Sequence, residues 1–102
     1  MSTICLSIAF ATTAGLAAED VTVSQRNRAF APNQLDIARG TVVHINNDDN
    51  VTHHVFIDSP KMKFDSGEQK IGTTVDLHFD EAGTFSVRCA IHPTMRLSVT
   101  VR

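Results

Sequence analysis

Residues 84–95 read TFSVRCAIHPTM, an alternating segment that runs directly into a short loop. Phe85, Val87 and Cys89 fall on one face of the predicted strand, because successive side chains of a strand point to opposite faces. The apolar face of this strand therefore ends at a thiol. The loop that follows adds His92 and Met95 within six residues of that thiol.

Alternating segments recur through most of the chain. The predicted strands are residues 21–23, 35–37, 41–45, 54–57, 73–79, 84–89 and 97–102. Polar runs such as residues 46–50 separate them and are predicted to be loops. Residues 59–72 are polar, contain Pro60, Gly67 and Gly72, and are predicted to form an irregular crossing between sheets. Without a helical period or an internal repeat, the pattern predicts an all-β fold, an antiparallel β-sandwich.

Four side chains of the sequence form a set that suits copper. Cys89 supplies a thiolate, His92 and one of the neighbours His53 and His54 supply two imidazoles, and Met95 supplies a thioether. Two imidazoles and a thiolate in a trigonal arrangement, with a weak axial thioether, are the ligands of blue-copper electron-transfer sites. The sequence therefore predicts a copper centre that transfers electrons.

Other interpretations of these residues remain open. Taken singly, Cys89 and Met95 are ordinary core side chains, and His44 and His78 are most simply sheet residues without a ligand role. A copper carrier or storage protein that delivers the ion to another protein could use the same ligands. A thiol enzyme with Cys89 as nucleophile and His92 as base is less favoured, because a thiol at the end of a buried face is poorly placed for substrate.

The first part of the chain differs in composition from the rest. Residues 1–18 contain no charged side chain and end in small residues, which predicts a secretory signal peptide followed by a mature domain at 19–102. The alternative is an N-terminal core strand or helix. A membrane span is not expected, because the apolar stretch is short and is interrupted by Thr12, Thr13 and Gly15. We therefore expect a periplasmic or secreted protein.

The cysteine count and the charge add two constraints. Removal of residues 1–18 would leave Cys89 as the only cysteine, and a lone thiol in an oxidising compartment is protected when it binds a metal. The formal net charge is −2 at pH 7, which does not favour a nucleic-acid partner.

Several motifs together resemble the cupredoxin family of small blue copper proteins. They are Phe30-Ala31-Pro32, Leu35, Ile37, Gly40-Thr41-Val42, Asn47-Asp48, His53, Phe64-Asp65-Ser66-Gly67, Gly83-Thr84-Phe85 and Cys89-x-x-His92-Pro93-x-Met95. The resemblance covers nearly the whole of residues 19–102. The spacing of two residues between each pair of ligands in the last motif is most similar to the ligand loop of amicyanin.

The resemblance implies a fold, a site and a function. The fold would be a cupredoxin-like Greek-key β-sandwich, and the ligands of one Cu(I)/Cu(II) ion would be His53, Cys89, His92 and Met95. The protein would be a monomeric electron carrier and not an enzyme. Its partners would be transient redox proteins, such as a c-type cytochrome or a dehydrogenase.

His53 and His54 are distinguished by strand register. His53 shares a face with Val55 and Ile57, whereas His54 lies on the opposite face, so His53 is the predicted ligand. Cupredoxins usually have Asn after the first His ligand, and this chain has His54 there. By the resemblance, the backbone N–H of residue 54 still points at the sulfur of Cys89.

Overall fold

The computed structural model describes residues 17–102, and within this range the chain forms strands, turns and bends but no helix. All but the last two residues of the predicted signal peptide, residues 1–18, lie outside the described part. The strands are β1 (Asp20–Arg26), β2 (Ala29–Ala31), β3 (Gln34–Ile37), β4 (Thr41–Asn47), β5 (Val55–Ser59), β6 (Met62–Asp65), β7 (Thr74–Phe79), β8 (Gly83–Cys89) and β9 (Arg96–Val101).

The strands form two sheets. One sheet has the order β2-β1-β4-β7, and the other has the order β3-β9-β8-β5-β6. The predicted all-β sandwich is confirmed, although both sheets are mixed, since β1 pairs in parallel with β4 and β3 pairs in parallel with β9. The chain leaves the first sheet after β2, adds β3 to the second, and returns with β4 beside β1. A crossover of this kind brings strands together in the same direction, whereas a hairpin makes them antiparallel.

The core lies between the sheets and is built from the inward side of each alternating strand. The fully buried large side chains include Val43, Ile45, Leu77, Phe79, Phe85, Val87 and Leu97. Burying a side chain of this size contributes about 1.5–3 kcal/mol. Phe79 of β7 and Phe85 of β8 meet across the sandwich with ring centroids 5.7 Å apart. The predicted inward face of β8 is confirmed, because Phe85, Val87 and Cys89 are all buried.

The sequence pattern missed two strands, β2 and β6. The prediction that residues 59–72 are irregular is wrong for Met62–Asp65, which forms β6 and pairs with β5. Only Met62 and Phe64 alternate there, which is too short a pattern to identify a strand. The predicted loop at 46–50 also begins too early, because β4 continues to Asn47 and its N–H donates to the carbonyl of Thr73 at 2.9 Å.

Two loops meet at one end of the sandwich. The first, residues 48–54, follows β4, and the second, residues 90–95, follows β8. They are adjacent because β5 and β8 are paired, with Val55 opposite Cys89. Residues 17–102 contain no helix that is long and apolar enough to cross a membrane.

Candidate metal centre

Cys89 is the last residue of β8, and its side chain is 2% exposed. The backbone N–H of His54 donates to its sulfur at 3.4 Å, as the family resemblance implied. The N–H of Ala90 in turn donates to the carbonyl of His54 at 2.9 Å. These two hydrogen bonds join the first and second loops next to the thiol.

His53 lies directly before β5 and is fully buried. Val55 and Ile57 are buried with it, whereas His54 and Phe56 are only partly buried on the other face. The strand register that distinguished the two histidines is therefore present in the structure. His53 alone of the pair faces the interior and the thiol.

Three donor atoms converge at this end of the sandwich. The Sγ atom of Cys89 lies 3.7 Å from Nδ1 of His53 and 3.8 Å from Nδ1 of His92. The three ligand atoms all lie within 4.8 Å of one another, and the two imidazole rings meet edge to face with centroids 5.0 Å apart. Among residues 17–102, this is the one group of at least three His, Cys, Asp or Glu side chains placed to hold a metal ion.

The spacing of the donors fits a metal ion with trigonal ligands. A metal about 2.3 Å from a thiolate and about 2.0 Å from an imidazole nitrogen, at a trigonal angle, holds those donors about 3.7 Å apart. The two sulfur–nitrogen distances in the protein have this value within 0.1 Å. The distances from the thiol to both imidazoles are therefore those that a trigonal metal site requires.

Met95 closes the second loop. Its side chain is 2% exposed and belongs to the same core cluster as Cys89. Its backbone N–H donates to the carbonyl of His92 at 3.0 Å, across the turn that contains Pro93. This turn returns the chain to the core within three residues, so that His92 and Met95 lie on the same short loop.

Asp49 contacts the candidate site and was missed by the sequence analysis. Its carboxylate lies 3.0 Å from Nε2 of His53, and only 5% of its side chain is exposed. Burial alone raises the pKa of Asp49, but the N–H groups of Arg28 and Asn50 together with the His53 ring lower it to about 2. A carboxylate on the outer nitrogen of a ligand imidazole fixes the orientation of the ring and strengthens it as a donor. The one sequence feature that could have indicated this contact is that Asp49 lies four positions before His53.

Asn47 organises the loop that carries His53. Its side-chain N–H groups donate to the carbonyls of Val51 and Gln69 at 3.0 and 3.1 Å. Its side-chain oxygen receives the N–H of Asp49 at 3.0 Å. The polar run that the sequence presents as a loop is thereby held in one conformation by a buried amide.

The hydrogen bond of the His54 side chain runs to β6. Its Nε2 atom lies 2.5 Å from the carboxylate of Asp65 on β6, pointing away from the thiol. The two loops are linked instead by the N–H of Ala90, which donates to the carbonyl of His54, and by the N–H of His54, which donates to the sulfur of Cys89.

His92 lies at the edge of the site nearest the solvent. It is partly exposed, whereas His53 is fully buried, and the neighbouring Ile91 is 49% exposed. Burial lowers the pKa of His92, and the charges of His53 and Arg28 lower it further against the opposing effect of Asp49. A lowered pKa favours the neutral imidazole, which is the form that binds metals.

The two remaining histidines lie on the outer face of the first sheet. His44 on β4 contacts Asp76 through Nδ1 at 2.6 Å and Asp20 through Nε2 at 3.2 Å. His78 on β7 is exposed. Both are sheet residues, as the sequence pattern indicated.

Comparison with known proteins identifies the relatives of this arrangement. Residues 17–102 match the family described as copper binding proteins, plastocyanin/azurin family. A purple cupredoxin from Nitrosopumilus maritimus is 26% identical, with a TM-score of 0.71 over 80% of this chain and 99% of that one. A reduced amicyanin variant is 25% identical, with a TM-score of 0.74 over 80% of this chain and 81% of that one. A comparison with curated proteins gives no match.

Proposed function

We propose that this chain, which belongs to the plastocyanin/azurin family of copper-binding proteins, carries single electrons between redox proteins through one copper ion. The observation that supports the proposal most directly is the convergence of Cys89, His53 and His92 at distances that suit a trigonal metal site. When bound, copper would supply the one-electron couple. The protein would supply a site that changes little between the two oxidation states.

We assign the ligands to His53, Cys89, His92 and Met95. His53, Cys89 and His92 bring their donor atoms together, and Met95 is buried on the loop that carries His92. His53 would be the immobile ligand, since both its backbone and its outer ring nitrogen are hydrogen-bonded. A preorganised set of ligands limits the rearrangement that an electron transfer requires.

The path of the electron would pass through His92. It is the more exposed of the two imidazoles, and the exposed Ile91 beside it provides an apolar contact for a partner. Redox partners of this kind dock through small interfaces and separate quickly. A c-type cytochrome or a dehydrogenase would suit such docking, and no substrate needs to be transformed.

The test is to add Cu(II) to the purified domain and to record absorption and electron paramagnetic resonance spectra. We expect one copper per chain, an intense blue colour from thiolate-to-copper charge transfer, and a reversible one-electron couple. Colour within this fold varies, since one structural relative is a purple cupredoxin. A purple product would still indicate a copper–thiolate bond but would contradict the expected blue colour. A colourless, readily lost copper would instead support delivery of the ion to another protein.

We also propose that the protein is exported and that residues 1–18 are removed. The charge-free composition of this segment and the single cysteine left after its removal support the proposal. Expression of the full chain in a bacterium, followed by mass measurement of the periplasmic and secreted fractions, tests it. A protein that remains in the cytoplasm with residues 1–18 intact would contradict it.

A further inference from the structure

Two glutamine side chains are buried next to the metal centre. Gln25 is fully buried, and Gln69 is 2% exposed. Gln25 lies on β1 two residues after Val23, so it occupies an inward position where the strand is otherwise apolar. An amide in such a position destabilises the fold unless its polar atoms are paired. Its presence therefore calls for a role beyond filling the core.

The two amides form a cross-link between three parts of the protein. Nε2 of Gln25 donates to Oε1 of Gln69 at 2.7 Å. Nε2 of Gln69 donates to the carbonyls of Ile45 and Thr73, both at 3.0 Å. These two carbonyl acceptors determine which way the Gln69 amide points. The side chain of Gln69 is thus fixed to β1, to β4 and to the segment that follows β6.

The backbone of Gln69 passes this restraint on to His53. The N–H of Gln69 donates to the carbonyl of His53 at 2.7 Å, and the N–H of His53 donates to the carbonyl of Gln69 at 3.0 Å. The same Gln69 carbonyl also receives the side-chain N–H of Asn47. Residues 66–73 contain no strand, yet this isolated bridge makes them the backbone partner of a metal ligand.

The amide pair stabilises the core less than an apolar pair of the same size would. Oε1 of Gln25 has no hydrogen-bond partner among the residues that the structure describes. A buried polar atom without a partner destabilises the fold, and an apolar pair of the same size would avoid that cost. The arrangement is more easily explained by what it holds in place than by what it adds to stability.

We propose that Gln25 and Gln69 are positioning residues that hold the backbone of His53 rigid and thereby keep this ligand in place when the charge on copper changes. The inference rests on the proposed copper site. Asp49 orients the His53 ring from its outer nitrogen, and the glutamine pair fixes the backbone from which that ring extends. The two restraints act on different parts of the same residue.

The direct test is Gln69→Leu, which keeps the approximate size of the side chain and adds no metal ligand. In the metal-free protein, we expect hydrogen exchange at the His53 amide to become faster than in the wild type. The increase should exceed, by at least about tenfold, the increase that the loss of global stability causes, since several buried polar groups lose their partners. In the copper-loaded protein, we expect broader paramagnetic resonance lines, because the ligand occupies a wider range of positions. Gln25→Leu should give a smaller change in the same direction, since Gln69 keeps both carbonyl contacts.

Val101→Ala is the matched control, because it removes buried apolar volume from β9, which pairs with β3 and β8 and not with β1, the strand of Gln25. It should lower the melting temperature by a similar amount while leaving the His53 amide and the copper spectrum unchanged. If Gln69→Leu changes only the melting temperature, as the control does, the positioning role is wrong. Should Gln69→Leu fail to fold, Gln25→Leu decides the question by the same two measurements. If the unchanged protein gives no coloured copper complex, the proposed function fails, whereas hydrogen exchange in the metal-free protein still reports on the backbone restraint.

Discussion

The two loops that supply the donor atoms differ in how firmly the protein holds them. The first loop carries His53, which is fully buried and hydrogen-bonded through its N–H, its carbonyl and its outer ring nitrogen. The second loop carries His92, which is partly exposed beside Ile91. The buried His53 is thus fixed by several hydrogen bonds, whereas His92 faces the surface. The difference supports the proposal that the first loop keeps the site rigid while the second loop contacts a partner.

The largest expected effect comes from the residue at which the second loop leaves β8. Cys89→Ser should abolish the copper colour completely, because the charge-transfer absorption requires a thiolate. Thr94→Ala, an exposed change on the same loop, is the control and should keep the colour. The absorption spectrum after addition of Cu(II) checks both. A coloured Cys89→Ser protein would remove the assignment of the thiolate ligand.

The neighbouring histidines of the first loop provide the next test. His53→Ala should weaken copper binding by more than about 100-fold, beyond what removing an outer partner of a ligand typically costs. His54→Ala should change the affinity by only about twofold, because its ring points to Asp65 at the surface. Competition with a chelator of known affinity measures both. A larger effect from His54→Ala would mean that the register across this loop is misassigned.

The support behind His53 is tested by Asp49→Asn. The change keeps the shape of the side chain but removes the charge next to Nε2, and we expect copper affinity to fall by about 10–100-fold. Asp48→Asn is the matched control, because Asp48 is exposed and contacts Ser24 rather than His53. Equal affinities for the two variants would show that the first loop is not stabilised through its carboxylate.

Met95→Leu tests the proposed axial ligand on the second loop. The variant should remain coloured, since the thiolate and both imidazoles are kept, but its reduction potential should rise because a thioether donor to Cu(II) is lost. We expect a rise of at least about 59 mV, which is a tenfold change for one electron. Met62→Leu, a methionine on β6, is the control and should leave the potential unchanged. An unchanged potential in Met95→Leu would exclude the axial role.

The smallest effect concerns the sheet from which the first loop emerges. The carboxylates of Asp76 and Asp20 raise the pKa of His44 above its ordinary value of 6.5. The folded protein therefore binds this proton more tightly than the unfolded chain does, so the stabilisation is complete below pH 6.5 and is lost as pH rises through the higher folded pKa. We expect the stability difference between wild type and His44→Gln to shrink over that range in urea titrations of the metal-free protein. A stability difference that stays constant over that range would contradict this role of the two carboxylates.

Much of the fold could be predicted from the sequence because strand alternation is a local signal. The run from Thr84 to Cys89 places its apolar side chains on one face whatever its neighbours are, and the structure buries that face. β6 was missed because four residues give too little alternation, and it exists only because β5 provides a partner. The parallel pairs of β1 with β4 and of β3 with β9 were missed because the order of strands in a sheet depends on crossovers between distant segments.

The candidate site divides in the same way. The sequence by itself determined the donor types and the short spacing of Cys89, His92 and Met95, because one loop of a few residues brings them together without help from the rest of the chain. Only the tertiary structure decided how His53 is held, since Asp49 and Gln69 reach it through a loop conformation and an isolated bridge. The residue types determine which donor atoms are available. The rigidity of the site depends on hydrogen bonds between segments far apart in the chain, and these form only when the two sheets have packed together.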